Sequence, residues 1–147
     1  MTTLNISRAP RYSEEMVKPL REEVTSAGVE EWRTAEAIDN ALQQPGITLV
    51  FINSVCGCAA RSARPALKLA LGHDKLPDRI GTCFAGVDLD AVESVRRRIK
   101  NYPASSPSIA LFKDGEPIYF MPRHHIEGSP AEEIAEDLKE IFDVYCK

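Results

Sequence analysis

The chain has 147 residues, of which 44% are hydrophobic and 27% are charged, and its formal net charge is -4. This length and composition predict one globular domain over residues 1–147, with residues 1–12 as a flexible tail. The acidic balance argues against a nucleic-acid partner, and no segment has the length and apolarity of a signal peptide or membrane span. We therefore expect a cytoplasmic protein.

Two helices and a short strand are predicted ahead of the first long strand. Ser13 is a typical N-cap for a helix that ends near Ser26, although Pro19 does not fit its interior. Residues 29–32 fit a short edge strand, and a second helix is predicted over 35–44.

The next two elements bring the chain to a pair of cysteines. Residues 47–52 are a continuous β-branched and aromatic run, which is typical of a central parallel strand. A helix is then predicted over 57–71, with a bend at Pro65. Cys56 thus lies between the end of a buried strand and the start of a helix.

The second half of the chain is predicted to hold a strand, a helix, two paired strands and a last helix: 80–87, 90–100, 109–112, 118–121 and 130–145. Asp114-Gly115 is a typical hairpin turn between the paired strands. A parallel crossover half followed by a hairpin and a closing helix is how the thioredoxin fold is built. The predicted class is therefore α/β and thioredoxin-like, with a central mixed sheet flanked by helices and an N-terminal helical extension.

The Cys56-Gly57-Cys58 triplet is the candidate redox site. A cysteine at a helix start meets free backbone N–H groups and the positive end of the helix dipole, which favour the thiolate, and Arg61 and Arg64 add positive charge. Cys56 should be the more exposed thiol, and Cys58 the partly shielded one. Cys58 is close enough to attack a mixed disulfide on Cys56, and the small ring that results should be strained and oxidising. Gly57 is expected to supply unusual backbone dihedrals.

Other interpretations of the cysteines stay open at this stage. The pair could bind zinc or an iron–sulfur cluster together with Cys83 and His124 or His125, although the second close-spaced pair of most metal sites is missing. Accidental packing is the remaining alternative. Cys83 itself is predicted to be a buried, inert thiol in mid-strand, and Cys146 an exposed but unactivated one in the last turn.

A second motif, Ser105-Ser106-Pro107-Ser108, leads directly into a predicted strand. It resembles the thioredoxin pattern of a cis-proline at the head of a strand, a position that proline tolerates. We predict that the Ser106–Pro107 bond is cis, which would leave the backbone at Ser106 available to pair with an extended substrate.

The segments around the cysteines and after the second hairpin strand are specific enough to indicate a family. They include Asn53-Ser54-Val55-Cys56-Gly57-Cys58-Ala59-Ala60, Ala63-Arg64-Pro65-Ala66, Pro122-Arg123-His124 and Ile126-Glu127-Gly128. The sequence is similar to the bacilliredoxin family over essentially the whole chain after residue 11. The resemblance implies reduction of mixed disulfides between proteins and bacillithiol, with Cys56 attacking and Cys58 resolving, and disulfide isomerase activity has also been associated with such proteins. It implies no bound cofactor: bacillithiol is the thiol co-substrate, and S-thiolated cytoplasmic proteins are the partners.

Strand directions predict two further site residues. If the strand after Pro107 runs antiparallel to 47–52, its hairpin partner ends beside Cys56 and brings the surface loop with Arg123 and His124 to the site. Arg123 is then expected to pair with carboxylates of the bound thiol, and His124, if partly protonated, to favour the thiolate.

Three classes of function remain to be separated. A thiol–disulfide oxidoreductase acting on bacillithiolated proteins leads, with a protein disulfide isomerase of broad specificity as its alternative. A metal-binding protein using Cys56, Cys58 and a histidine, and a binding module with a vestigial site, are the others. Val50 stands about where thioredoxin keeps a buried aspartate, so the sequence names no base for proton transfer. It does not indicate an oligomeric state.

Overall fold

A computed structural model describes residues 9–147. Within that range the chain forms six α-helices, five strands and one π-helical segment. Their bounds are α1 (Glu14–Thr25), β1 (Glu30–Glu31), α2 (Ala35–Leu42), β2 (Ile47–Asn53), the π-helical segment (Ala59–Ala63), α3 (Arg64–Ala70), β3 (Arg79–Phe84), α4 (Leu89–Arg98), β4 (Ser108–Lys113), β5 (Glu116–Met121), α5 (Arg123–Glu127) and α6 (Ala131–Tyr145). Residues 1–8 of the predicted tail lie outside the described residues, and beyond them the backbone N–H of Arg11 donates to the carbonyl of Gly86 at 2.7 Å.

The five strands form one mixed sheet in the order β1-β3-β2-β4-β5, with β2 at its centre. β2 pairs in parallel with β3 and antiparallel with β4. β5 pairs antiparallel with β4, so it runs in the same direction as β2. The chain therefore leaves β2 and β5 at the same edge of the sheet, which is the strand arrangement predicted from the sequence.

Alternate residues of β2 divide the core between two layers, as the pleat of a strand requires. Leu49 and Phe51 pack with α3 and α6, whereas Val50 and Ile52 pack with α2 and α4. All seven residues of β2 are buried, which explains the unbroken apolar character of the run.

Local signals set the ends of several elements. The Ser13 hydroxyl accepts a hydrogen bond from the N–H of Met16 at 3.2 Å, and α1 continues through Pro19. The Thr34 hydroxyl caps α2 in the same way. Asp114 and Gly115 form the β4–β5 turn with φ of 51° and 85°, a left-handed backbone that suits an Asp-Gly hairpin.

The helix after the cysteines differs from a simple proline bend. Its π-helical segment ends at Ala63, two residues before Pro65, and the N–H of Arg64 donates to the carbonyl of Ala59, five residues back. Proline lacks an N–H, and its ring crowds the carbonyl four residues earlier. The wider π-turn ahead of Pro65 accommodates both effects before the α-helical hydrogen bonds resume.

The prediction of a surface loop after β5 is wrong, because the chain forms the short helix α5 there. Pro122 stands at its N-cap, Gly128 ends it, and Ile126 is buried against the core. A helix of five residues contains too little of a helical period to be recognised in a sequence. Within residues 9–147, no helix is long and apolar enough to cross a membrane.

Candidate redox site

Cys56 and Cys58 lie where the chain leaves the edge of β2. The carbonyl of Cys56 accepts hydrogen bonds from the N–H groups of Ala59 and Ala60 at 3.2 and 3.3 Å, so this residue immediately precedes the helix. The two Sγ atoms lie 2.8 Å apart and share a hydrogen bond. Cys56 is partly exposed, whereas Cys58 is only 5% exposed. The predicted difference in exposure between the two thiols is confirmed.

The surroundings of Cys56 favour its thiolate. Burial is the largest single influence and opposes ionisation, but hydrogen bonds from Cys58, from Ser54 and from the N–H groups of Ala59 and Cys58 together outweigh it. The pKa of Cys56 is therefore lower than that of an ordinary cysteine. The expected contribution of helix N–H groups is present.

Cys58 is shifted in the opposite direction. Burial raises its pKa most, and the hydrogen bond and the charge of Cys56 raise it further. Arg123 acts to lower the pKa of Cys58, whereas Glu127 acts to raise it. The two opposite shifts thus favour the thiolate on Cys56 and the proton on Cys58.

Arg64 does not have the role expected from its position on the helix. It is 1% exposed, and its Nη1 donates to the side chain of Asn53 at 3.0 Å and to the carbonyl of Ser54 at 2.8 Å. Its Nε binds Glu23 at 2.7 Å. The buried guanidinium therefore anchors the loop that precedes Cys56. The lowered pKa of Cys56 comes from hydrogen bonds to its thiolate, and Arg64 is not among the main causes.

Ser54 connects this anchor to the reactive thiol. Its hydroxyl accepts a hydrogen bond from the N–H of Cys56 at 3.2 Å, and it also acts to lower the pKa of Cys56. The sequence interpretation assigned Ser54 no role in the site, because a serine before a cysteine carries no distinguishing signal.

The special dihedrals expected of Gly57 are absent. Gly57 belongs to the first helical turn, and it is not among the glycines with positive φ. A Cβ on this residue would lie 3.7 Å from Nη2 of Arg61, an ordinary van der Waals contact. The helix starts directly after Cys56, so the turn between the two thiols is helical and needs no glycine.

The strand that follows Pro107 brings its loop to the same edge of the sheet. The Ser106–Pro107 bond is cis, as predicted, and Pro107 is buried. Ser108 pairs with Ile52, close to the end of β2. Pro107 and the loop that leads to Cys56 therefore lie side by side at this edge of the sheet.

Arg123 is close enough to the cysteines to interact with them electrostatically, whereas His124 has no comparable effect. The N–H of Arg123 donates to the Ser105 hydroxyl at 3.3 Å, and Nη1 approaches the carbonyl of Ser106 at 3.5 Å. A hydrogen bond to Glu127, followed by the charges of Cys56 and Cys58, raises the pKa of Arg123. His124 is exposed on α5 and is not among the main influences on either cysteine.

A groove of about 460 Å³ lies beside Cys58. Its lining combines the resolving thiol with side chains from the π-helical segment and from the α5–α6 turn: Cys58, Arg61, Ser62, Glu127, Gly128, Ser129, Pro130, Ala131 and Glu132. Glu127 was assigned no role by the sequence interpretation. Apart from its place in the segment Ile126-Glu127-Gly128, its signal is the spacing of four residues from Arg123, which has meaning only if the segment is helical.

The other two cysteines are buried away from this edge. Cys83 is fully buried, and burial raises its pKa, so the expectation of an inert thiol is confirmed. The predicted exposure of Cys146 is wrong: it is 7% exposed in the core beside α6, and burial raises its pKa to about 11. Within residues 9–147, no three His, Cys, Asp or Glu side chains are grouped as a metal site.

Solved structures with the same fold include thioredoxins. The oxidised thioredoxin of Plasmodium falciparum superposes with a TM-score of 0.55 at 16% identity, covering 78% of this chain and 98% of that one. A thioredoxin variant from Halobacterium salinarum superposes with a TM-score of 0.56 at 13% identity, covering 82% and 93%. The chain therefore has the thioredoxin fold, with a thiol pair at the edge of its sheet.

Sequence relatives define the class more closely. A family model described as disulphide isomerase matches residues 12–146. The bacilliredoxin of Cytophaga hutchinsonii is 48% identical over 132 residues, covering 90% of this chain and 98% of that protein. The bacilliredoxin of Salinibacter ruber is 50% identical over 138 residues, covering 92% and 81%. The protein is a thiol–disulfide oxidoreductase of the thioredoxin fold. It belongs to the bacilliredoxin family.

Proposed function

We propose that the enzyme reduces mixed disulfides between cytoplasmic proteins and bacillithiol. The supporting observation is the contrast between the two thiols: Cys56 is partly exposed with a lowered pKa, and Cys58 is buried beside it with a raised one. A pair divided in this way supplies one attacking thiolate and one thiol held for the second step.

The reaction proceeds by two displacements at sulfur. The Cys56 thiolate attacks the bacillithiol sulfur of the mixed disulfide, and the protein leaves as a thiolate that takes up a proton. Cys58 then loses its proton and attacks Sγ of Cys56, which expels bacillithiol and closes the Cys56–Cys58 disulfide. A thiol reductant, such as further bacillithiol, returns two electrons to the pair. No bound cofactor takes part in these steps.

The substrate is proposed to bind beside four residues: Ser106, Pro107, Arg123 and His124. The Ser106 backbone would pair with an extended segment next to the mixed disulfide, with Pro107 holding this loop at the edge of the sheet. The exposed Arg123 guanidinium would bind carboxylates of the small thiol, and His124 lies next to it on α5.

Single cysteine variants test this order of events on a protein carrying bacillithiol in a mixed disulfide. Cys56→Ser should abolish exchange, whereas Cys58→Ser should complete the first displacement and accumulate one bacillithiol on Cys56, seen by intact-protein mass spectrometry. Reversed behaviour of the two variants would exchange their roles. If neither variant loses exchange, the redox assignment of the pair is wrong, and metal analysis of the purified protein tests the metal-binding alternative.

Arg123→Ala tests the choice of thiol. Turnover of the bacillithiol mixed disulfide should fall about tenfold more than turnover of an uncharged disulfide, because only the former offers carboxylates to the guanidinium. Arg97→Ala removes an equal charge from the exposed side of α4 and serves as the control. Equal losses on both substrates would exclude recognition by Arg123.

The second candidate function is disulfide isomerisation of broad specificity, which the description of the matching family model favours. Refolding of a protein with scrambled disulfides separates the two functions. An isomerase accelerates this refolding catalytically and shows no preference for bacillithiol over glutathione or cysteine in mixed disulfides.

A further inference from the structure

The second displacement needs an acceptor for the proton of Cys58. Cys58 is 5% exposed, and its pKa lies above that of an ordinary cysteine, so the attacking thiolate does not form readily by itself. Val50 in β2 is fully buried and apolar, as are its neighbours Leu49 and Phe51. This central strand therefore offers no carboxylate beneath the thiol pair.

The groove beside Cys58 contains a carboxylate in a defined position. Cys58 and Glu127 both line this groove, and the charge of Glu127 acts on Cys58. Ile126 fixes α5 by its complete burial, and the Ser62 hydroxyl donates to the carbonyl of Ser129 at 3.1 Å. This bond joins the α5–α6 turn to the π-helical segment, which begins directly after Cys58.

Arg123 orients the Glu127 carboxylate within this arrangement. Its Nε donates to Oε2 of Glu127 at 3.2 Å along one turn of α5, while its Nη1 approaches the carbonyl of Ser106. About half of the Glu127 side chain is exposed, so its second oxygen is accessible to a thiol or to one water in the groove.

We propose that Glu127 is the catalytic base that accepts the proton of Cys58 in the second displacement. This inference rests on the proposed roles of Cys56 and Cys58. The proton passes from Sγ of Cys58 to the carboxylate, directly or through one water, while Sγ of Cys58 bonds to Sγ of Cys56. The bond between Cys56 and the small thiol breaks, and its electron pair leaves on the thiolate. Glu127 then returns the proton to that thiolate or to solvent.

Other charged groups around the groove are not among the main influences on the pKa of Cys58. Arg61 and Glu132 line it from the π-helical segment and from α6. His125 on α5 faces Asp137 of α6 at 3.0 Å. Glu127 itself raises the pKa of Cys58 and Arg123 lowers it, so the field of Glu127 alone hinders ionisation of this thiol.

The charge of Glu127 hinders ionisation of Cys58, whereas a base at this position promotes it. The variant Glu127→Gln therefore distinguishes the two roles. If Glu127 acted only through its charge, removing the charge would lower the pKa of Cys58 and accelerate the second displacement at neutral pH. If Glu127 accepts the proton, the same substitution slows that step, because the amide has no basic oxygen. The two roles thus predict changes of opposite sign.

A dithiodipyridine, an uncharged disulfide with a chromophoric leaving group, separates the two displacements in stopped-flow absorbance. Attack by Cys56 releases the first thiopyridone, and ring closure by Cys58 releases the second. In Glu127→Gln we expect the first phase within about twofold of wild type and the second about a hundredfold slower near neutral pH. The deficit should shrink as pH rises towards the pKa of Cys58.

Two controls separate chemistry from structure. Glu133→Gln makes the same change on an exposed residue outside the groove and should leave both phases unchanged. Glu127→Asp keeps a carboxylate and should recover part of the second-phase rate. A second phase in Glu127→Gln that is unchanged or faster, or equal slowing of both phases, overturns the assignment of Glu127. A wild-type enzyme with a first phase but no second phase would instead refute the resolving role of Cys58.

Discussion

The four cysteines of this chain provide two contrasting environments for one functional group. Cys56 lies at a sheet edge, partly exposed and bonded to N–H groups of a helix start, whereas Cys83 is fully buried as the next-to-last residue of β3. The pKa of the first is lowered, and burial raises the pKa of the second. Exposure and hydrogen bonds from a helix start, rather than the thiol itself, therefore determine which cysteine is reactive.

The largest expected effect is the difference in alkylation between these two positions. In folded protein, iodoacetamide should modify Cys56 about a thousandfold faster than Cys83, because Cys83 reacts only after the core opens. Below its pKa, the Cys56 rate should rise about tenfold per pH unit, and it should level off at a lower pH than the rate of an ordinary thiol does, because the pKa of Cys56 is lowered. Peptide mass spectrometry over time measures both sites.

Cys146 adds a third arm to that experiment. Although it lies one residue from the C-terminus, it is 7% exposed and should react far more slowly than Cys56. Modification of Cys146 at the rate of Cys56 would mean that the last turn of α6 opens freely, and rapid modification of Cys83 would contradict the contrast itself.

A smaller effect is expected from removing the serine that supports Cys56. Ser54→Ala deletes the hydroxyl that acts to lower the pKa of Cys56, so this pKa should rise towards its ordinary value. A higher pKa means less thiolate at neutral pH, and alkylation there should slow about tenfold, with little loss at high pH. Ser26→Ala, on an exposed residue beyond α1, is the control. An unchanged pH profile would exclude Ser54 from activation.

Features of the fold and of the site that depend on residues close together in the sequence could be predicted. Ser13 and Thr34 cap their helices through bonds to residues three positions ahead. Cys56 follows an apolar strand and precedes a helix, and each of these signals lies within a few residues. The hairpin turn at Asp114-Gly115 is equally local.

Features that depend on contacts distant in sequence could not be predicted. Arg64 anchors the cysteine loop through Asn53, 11 positions away, and Glu23, 41 positions away. Nothing in the sequence indicates that its guanidinium is buried and binds the loop before Cys56. Glu127 comes to Cys58 only because β5 ends at the same edge of the sheet as β2 and the five residues of α5 follow. Such a short helix has no periodic signal.

The smallest effect is expected at Gly57, the residue between the two thiols. Because Gly57 lies in a helical turn and an added Cβ meets only ordinary contact with Arg61, Gly57→Ala should fold normally. Alanine favours a helix over glycine by about 0.5–1 kcal/mol, so chemical denaturation should show equal or slightly greater stability. The pH profile of Cys56 alkylation should be unchanged, because the backbone N–H groups that favour its thiolate remain. Loss of stability, or a raised Cys56 pKa, would mean that glycine is required between the thiols and that the helix start alone does not set Cys56 apart from Cys83.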